Sequence, residues 1–170
     1  GNPTDFTDLT GAILEISSIP PINLSKQLEY LIQYPHGCVE QTTSAAFPQL
    51  YVDLIAPLSD KQKMQTEKNI KAAISKLQSF QLPSGGFSYW PGGNDVADWA
   101  GTYAGHFLLE AKARGFAVPE QMLTKWVEHQ TKTSRTWEPV KEDANNWWYH
   151  DNEMAQAYRL YALAMAGKPD

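Results

Sequence analysis

Cys38 and Gln41 are the residues whose types and spacing could do chemistry: they lie three positions apart where Pro35-His36-Gly37 gives way to a helical pattern. Residues spaced by three project to the same side of a helix and can touch. A cysteine sulfur held against a glutamine carboxamide can displace ammonia and leave a thioester, an acyl group poised for transfer. The reaction needs a thiolate-like sulfur, and the start of a helix lowers a thiol's pKa. It also needs a polarised carbonyl, which the free backbone N–H groups of a first helical turn could supply. Glu40 favours the same helix terminus electrostatically, or serves only as a solvated first-turn acid.

Cys38 is the only cysteine of the 170 residues, which excludes an intrachain disulfide, a two-cysteine redox motif and a multi-cysteine zinc site. It is therefore either inert core or the seat of chemistry. The histidines lack metal-ligand spacing, and no motif calls for a cofactor. A formal charge of −5 with no basic block excludes a nucleic-acid partner. Apolar residues at 42%, with six Trp, set the chain apart from disordered sequences. No apolar run approaches the ~20 residues that span a bilayer, and the order of a signal peptide is absent. An opening Gly1 reads as an excised or processed segment, so any membrane anchor would lie outside this chain.

The elements that must position Cys38 and Gln41 read as helices. Ile70, Ile74, Leu77 and Phe80 recur at helical spacing, with Lys68, Lys71 and Lys76 turned away, which predicts an amphipathic helix over Thr66–Phe80. Trp99, Tyr103, Phe107 and Glu110 share one face of a second helix, closed by Lys112, Arg114 and Gly115. Pro119 opens a third, carrying Met122, Leu123, Trp126 and Val127, and Glu153–Ala166 is a fourth, ended by Gly167 and Pro169. Leu24–Tyr34 and Val39–Ile55 add two more, the latter kinked or ended by Pro48, and Thr7–Ser17 another. Two turn-rich breaks, Pro83–Gly93 and Trp137–Asn152, punctuate the series, and no stretch alternates as a strand does. The expected fold is all-α, stacked helical hairpins or an α/α toroid of them, in a single domain over residues 1–170.

Cys-x-x-Gln alone recurs by chance; its surroundings make it specific. Tyr34-Pro35-His36-Gly37-Cys38-Val39-Glu40-Gln41-Thr42-Thr43-Ser44 resembles the thioester segment of the alpha-2-macroglobulin and complement family, whose core is Gly-Cys-x-Glu-Gln. Val39 departs from the Gly usual in animal members and leans toward the bacterial branch. Gly85-Gly86-Phe87-Ser88-Tyr89-Trp90, then Trp99–Tyr103 and Phe107–Ala111, are similar to the loop and following helix of the family's thioester domain. That domain is usually larger, so the resemblance implies an incomplete toroid truncated at its C-terminal end.

The resemblance implies a protease trap, not a turnover enzyme. A protease cuts a bait region elsewhere, the protein rearranges, and a lysine amine of the target protease is acylated by Gln41 while Cys38 leaves as a thiol. It further implies a bacterial defence role in the periplasm or cell envelope, with other domains of the same full-length protein as partners. Keeping water from the thioester calls for aromatic walls, for which Tyr34, Trp90, Trp99, Trp147, Trp148 and Tyr149 are candidates beside ordinary packing.

Some family members pass the acyl group through a histidine. His150 is the candidate here, although its surroundings depart from the family's histidine segment. His36 reads as an exposed turn residue or a base for Cys38, His106 as a hydrogen-bonded core residue, and His129 as a wet-face residue. Without such a histidine, amines are acylated in preference to hydroxyls. Three rival readings stand beside this one. Gln81–Phe87 also resembles the turns of prenyltransferase and terpene-cyclase toroids, but Asp95 and Asp98 are too sparse for an Asp-rich motif. A cysteine hydrolase would pair Cys38 with His36 or His150. A binding scaffold would carry the motif unreacted.

Overall fold

The computed structural model describes residues 24–139 and 148–168. The expected helix over Thr7–Ser17, the residue Trp147 and the side chains of Trp148, Tyr149 and His150 lie outside the described residues. Seven helices make up the described chain: α1 (Leu24–Leu31), α2 (Val39–Ala46), α3 (Val52–Ile55), α4 (Asp60–Gln78), α5 (Asp98–Ala113), α6 (Glu120–Thr136) and α7 (Trp148–Met165). Among the described residues there is no strand, only two isolated bridges, Gln81 to Phe87 and Ser88 to Val96, in the α4–α5 loop.

Local chemistry explains the boundaries. Pro48 ends α2 and opens a 3-10 turn over Pro48–Leu50. Helix α4 starts six residues before the expected Thr66, because Ser59 and Gln62 form a capping box: Ser59 Oγ accepts from the Gln62 N–H at 3.3 Å and Gln62 Oε1 from the Ser59 N–H at 2.9 Å. The first turn of α4 faces water, so the apolar stripe begins only later. Helix α7 likewise starts inside the stretch expected to be a loop, at Trp148. Pro119 precedes α6 as its cap, one position earlier than its usual place.

Cross-helix pairs fix the layout. Phe47 stacks near Tyr103 and Phe107, and Tyr51 four residues on donates to Glu110 at 2.5 Å, so α2–α3 and α5 run in the same direction. Arg159 pairs with Asp98 at the start of α5 and Tyr161 meets His106 edge-to-face a turn or two later, so α7 runs with them. Helices α4 and α6 return between these three, packed against α2 and α5 and against α5 and α7. Same-direction helices in one layer and returning helices in the other are the arrangement of an α/α toroid. One apolar core, including Val39, Leu50, Ile74, Phe87, Phe107 and Trp126, joins the layers.

Small residues let the layers approach. At Gly105 an added Cβ would lie 1.9 Å from Cε2 of Trp126, whose fully buried indole N–H donates to the Gly101 carbonyl at 3.0 Å. The buried hydroxyls of Thr42 and Thr66 have no hydrogen-bond partner, but the larger polar side chains in the core are satisfied. Asn69 donates to Gln49 Oε1 at 3.0 Å, and Gln49 donates to the Gln33 and Ala45 carbonyls. Arg159, 1% exposed, is bonded to Asp98, Gln130 and Gln156, which ties α5, α6 and α7 together.

Candidate functional site

Helix α2 begins on Cys38. Its backbone is extended (φ −72°, ψ 177°), and its sulfur stands where a Ser or Thr oxygen usually caps a helix. The Gln41 backbone N–H donates to Cys38 Sγ at 3.5 Å, while the Cys38 N–H donates to Gln41 Oε1 at 3.1 Å. These two bonds form a reciprocal capping box in which a thiol replaces the customary hydroxyl. The sulfur and the carboxamide are thereby brought to the same mouth of one helix. The Cys38 N–H also polarises the C=O that a nucleophilic sulfur must attack, as an oxyanion donor does.

Gly37 makes this fold-back possible. Its φ is +91°, and a Cβ there would lie 2.0 Å from Gln41 Oε1 and 2.9 Å from its carbonyl carbon. Val39, fully buried, anchors the helix start to the core, and Pro35 is buried just before the turn. Cys38 is 3% exposed, whereas Gln41 is exposed. The pair therefore has a covered sulfur side and an open acyl side.

Tyr89, from the α4–α5 loop, lies beside the first turn of α2. The Val39 N–H donates to the Tyr89 carbonyl at 3.1 Å, docking the loop on the first turn of α2. The Tyr89 hydroxyl donates to Glu40 Oε2 at 3.3 Å. The neighbouring Cys38 side chain foremost, and then the charge of Glu40, push the phenol pKa up to about 12. Upstream, the loop is clamped to α6: Gln81 Nε2 donates to the Met122 carbonyl at 2.8 Å, and Gly85, at φ +92°, lies so close that a Cβ would meet the Lys125 carbonyl at 2.0 Å.

The other expected site residues are less engaged. Tyr34, Trp90 and Trp99 are about half exposed, so the described aromatics expected to wall the site do not enclose it. Sequence reasoning placed Tyr89 in a family-like segment without a role; its contact with Glu40 is made only by tertiary folding. His36 is exposed. His106 is half-buried on α5, with Nδ1 2.9 Å from the Tyr158 hydroxyl and Nε2 facing Glu110; burial lowers its pKa, and Glu110 opposes this. His129 does not lie on a wet face as expected. The α4–α5 loop covers it, with Gly86 against its ring, and burial lowers its pKa despite Asp98. The backbone of His150 lies in the first turn of α7. Among the described residues, no group of three or more His, Cys, Asp or Glu could hold a metal ion. No described helix is long and apolar enough to cross a membrane.

The family model described as the A-macroglobulin TED domain matches residues 5–165 of the chain. An alpha-2-macroglobulin of Xylella fastidiosa (strain Temecula1) is 30% identical over 173 residues, 95% of this chain and 10% of the relative. In three dimensions the chain is similar to Salmonella alpha-2-macroglobulin reacted with methylamine, at a TM-score of 0.72 and 28% identity over 89% of this chain and 10% of that one. It is similar also to trypsin activated alpha-2-macroglobulin from Escherichia coli, at a TM-score of 0.68 and 26% identity over 81% of this chain and 10% of that one. The chain spans about a tenth of the length of each.

Proposed function

The chain belongs to the alpha-2-macroglobulin family, in the region of its TED domain, and on that premise we propose that Cys38 and Gln41 close an internal thioester that acylates amines of attacking proteases. The observation that carries the reading is the reciprocal cap, Gln41 N–H on Cys38 Sγ and Cys38 N–H on Gln41 Oε1. Closure joins Sγ to the side-chain carbonyl carbon and releases ammonia. Attack by a lysine amine then joins nitrogen to that carbon and returns Cys38 as a thiol. The site turns over once, so the protein acts as a trap and not as a catalyst.

Within the full-length protein, cleavage of a bait segment by the protease triggers the rearrangement that bares Gln41, and neighbouring domains shield it until then. The setting is the periplasm or cell envelope of a bacterium. Similarity to structures of a methylamine-reacted and a trypsin-activated relative supports both the amine chemistry and the protease trigger. The family assignment sets aside the prenyltransferase and terpene-cyclase reading. A cysteine hydrolase needs a histidine on the sulfur, and among the described residues the hydrogen bond to the Cys38 sulfur comes from the Gln41 N–H.

The test is to mix the full-length protein with trypsin and separate the products under denaturing, reducing conditions. A covalent trypsin conjugate is expected, abolished by methylamine pretreatment and by Cys38→Ala. Trapping with no conjugate from the untreated wild type would refute the acyl-transfer step and favour an unreacted scaffold.

A further inference from the structure

We propose that the Glu40 carboxylate makes the Gln41 acyl group selective for amines that bring a positive charge with them, such as a lysine set in a basic patch of the target. The inference rests on the thioester reading above and adds to it the class of nucleophile the site takes.

A gap in the charge pattern carries it. The chain holds 14 Lys and Arg, yet none lies between residues 27 and 60 or between residues 77 and 111. Those are the two segments that meet at the site. The first carries Cys38, Glu40 and Gln41 at the start of α2, and the second is the α4–α5 loop with α5, joined to it where the Val39 N–H donates to the Tyr89 carbonyl at 3.1 Å. Acids remain in both, and three of them are engaged: Asp53 pairs with Arg114, Asp98 with Arg159, and Glu110 accepts from Tyr51. Among the described residues Glu40 pairs with no cation. It accepts from the neutral Tyr89 hydroxyl at 3.3 Å, a bond that holds the carboxylate in place without cancelling its charge.

The cations of neighbouring elements stand elsewhere. Lys112 and Arg114 close α5, which runs with α2, so they lie at the far end from Cys38, on Glu120 and Asp53. Arg159 is 1% exposed against Asp98, and Lys125 meets the α4–α5 loop through its carbonyl, at Gly85. The exposed aromatics Tyr34, Tyr89 and Trp90 carry no charge.

A Coulomb field needs no contact. Glu40 and Gln41 are consecutive, with Cα atoms about 3.8 Å apart, so the carboxylate acts on the exposed acyl side from within about 10 Å, one Debye length at about 0.1 M salt. In the transfer, the amine nitrogen bonds to the Gln41 carbonyl carbon, the bond to Cys38 Sγ breaks, and the proton shed by nitrogen neutralises the sulfur. The attacking nitrogen is itself uncharged, so the field acts on a second charge that the nucleophile or its surroundings carry. At about 8 Å in water a unit charge enriches a cation about twofold and depletes an anion as much, which makes a cation-to-anion rate ratio of about 4-fold at low salt.

The experiment measures thiol release from the full-length protein by (2-aminoethyl)trimethylammonium, a fixed cation, and by 2-aminoethanesulfonate, a fixed anion. Each rate is divided by that of the same amine with a small neutral thioester in solution, at pH 8.5, where imidazole carries no charge. In about 0.01 M salt the wild type is expected to favour the cation about 4-fold, the ratio falling toward one in about 1 M salt. E40Q should lose most of that ratio at low salt. A wild-type ratio near one would overturn the selection, and a ratio retained in E40Q would overturn its assignment to Glu40. Intact mass reports whether each protein has closed. If E40Q does not close, salt decides in the wild type: a ratio that collapses in 1 M salt sustains the proposal, and one that does not move overturns it. A wild type that shows no closure would end the thioester reading and the selection with it, whereas a closed wild type without charge preference ends the selection alone.

Discussion

Replacing Gly37 with Ala separates the geometry of the site from the stability of the fold. The new Cβ would sit 2.0 Å from Gln41 Oε1, where a carbon and an oxygen need about 3.3 Å. The oxygen must therefore retreat by more than about 1 Å, which takes it off the Cys38 N–H that it accepts from at 3.1 Å. Gln41 is exposed, so its carboxamide can swing into water at little cost. The remaining penalty is the left-handed backbone, φ +91°, which costs an alanine roughly 1–2 kcal/mol and lowers the melting midpoint by about 2–8 °C. Chemistry loses more, because a misplacement of about 1 Å in an attacking pair can cost on the order of 100-fold in rate. Gly37→Ala should thus fold but be purified with a free, titratable thiol and an unreacted Gln41. Intact mass and thiol titration before and after methylamine measure this. A Gly37→Ala protein that closes to the wild-type extent would refute the claim that the reciprocal cap sets up the reaction.

Two further predictions concern the frame around the site. Gly105→Ala drives a methyl into Trp126 and displaces the indole from the Gly101 carbonyl, so overpacking and a lost buried hydrogen bond together should cost about 3 kcal/mol or more in urea unfolding. Gly101→Ala meets Phe87 only at 3.5 Å and gains helix propensity, so it should be neutral or stabilising by up to about 1 kcal/mol; equal losses at both positions would refute the close fit of Trp126 on Gly105. The second prediction is a pH dependence. Burial holds the folded pKa values of His106 and His129 below the ordinary imidazole value of 6.5, so the unfolded chain binds more protons near that pH. Their contribution is fully present above about pH 7 and is lost as pH falls through 6.5 toward the folded values. Melting midpoints at pH 8 and pH 5.5 should show that slope, and His129→Gln should flatten part of it; an unchanged slope in that variant would remove His129 from the account.

What could be read from the sequence was local. Cys38 and Gln41 sit at a helix start because Pro35 and Gly37 break the chain before it, and that signal needs no tertiary knowledge. The apolar stripes of α4, α5 and α6 were visible for the same reason. The first turn of α4 was missed because its residues face water, so only the cap at Ser59 and Gln62 marks it. Helix α7 began early against expectation because Trp148 to Asn152 lacks an apolar period. Tyr89 could not be assigned from sequence: it lies 49 residues from Glu40, and the contact exists only because the α4–α5 loop is clamped by Gln81, Gly85 and Ser88. The pairing of Gly105 with Trp126 and the Arg159 network were hidden likewise, since a glycine in a helix and a lone arginine announce neither partner.

The most direct measurement is peptide mass mapping of the full-length protein, digested under conditions that spare thioesters. The account predicts a Cys38–Gln41 cross-link lighter than the unreacted sequence by one ammonia, converted by methylamine to a free Cys38 and a methylated Gln41 amide. Cys38 alkylated at once beside an unmodified Gln41, in protein never exposed to amines, would contradict it.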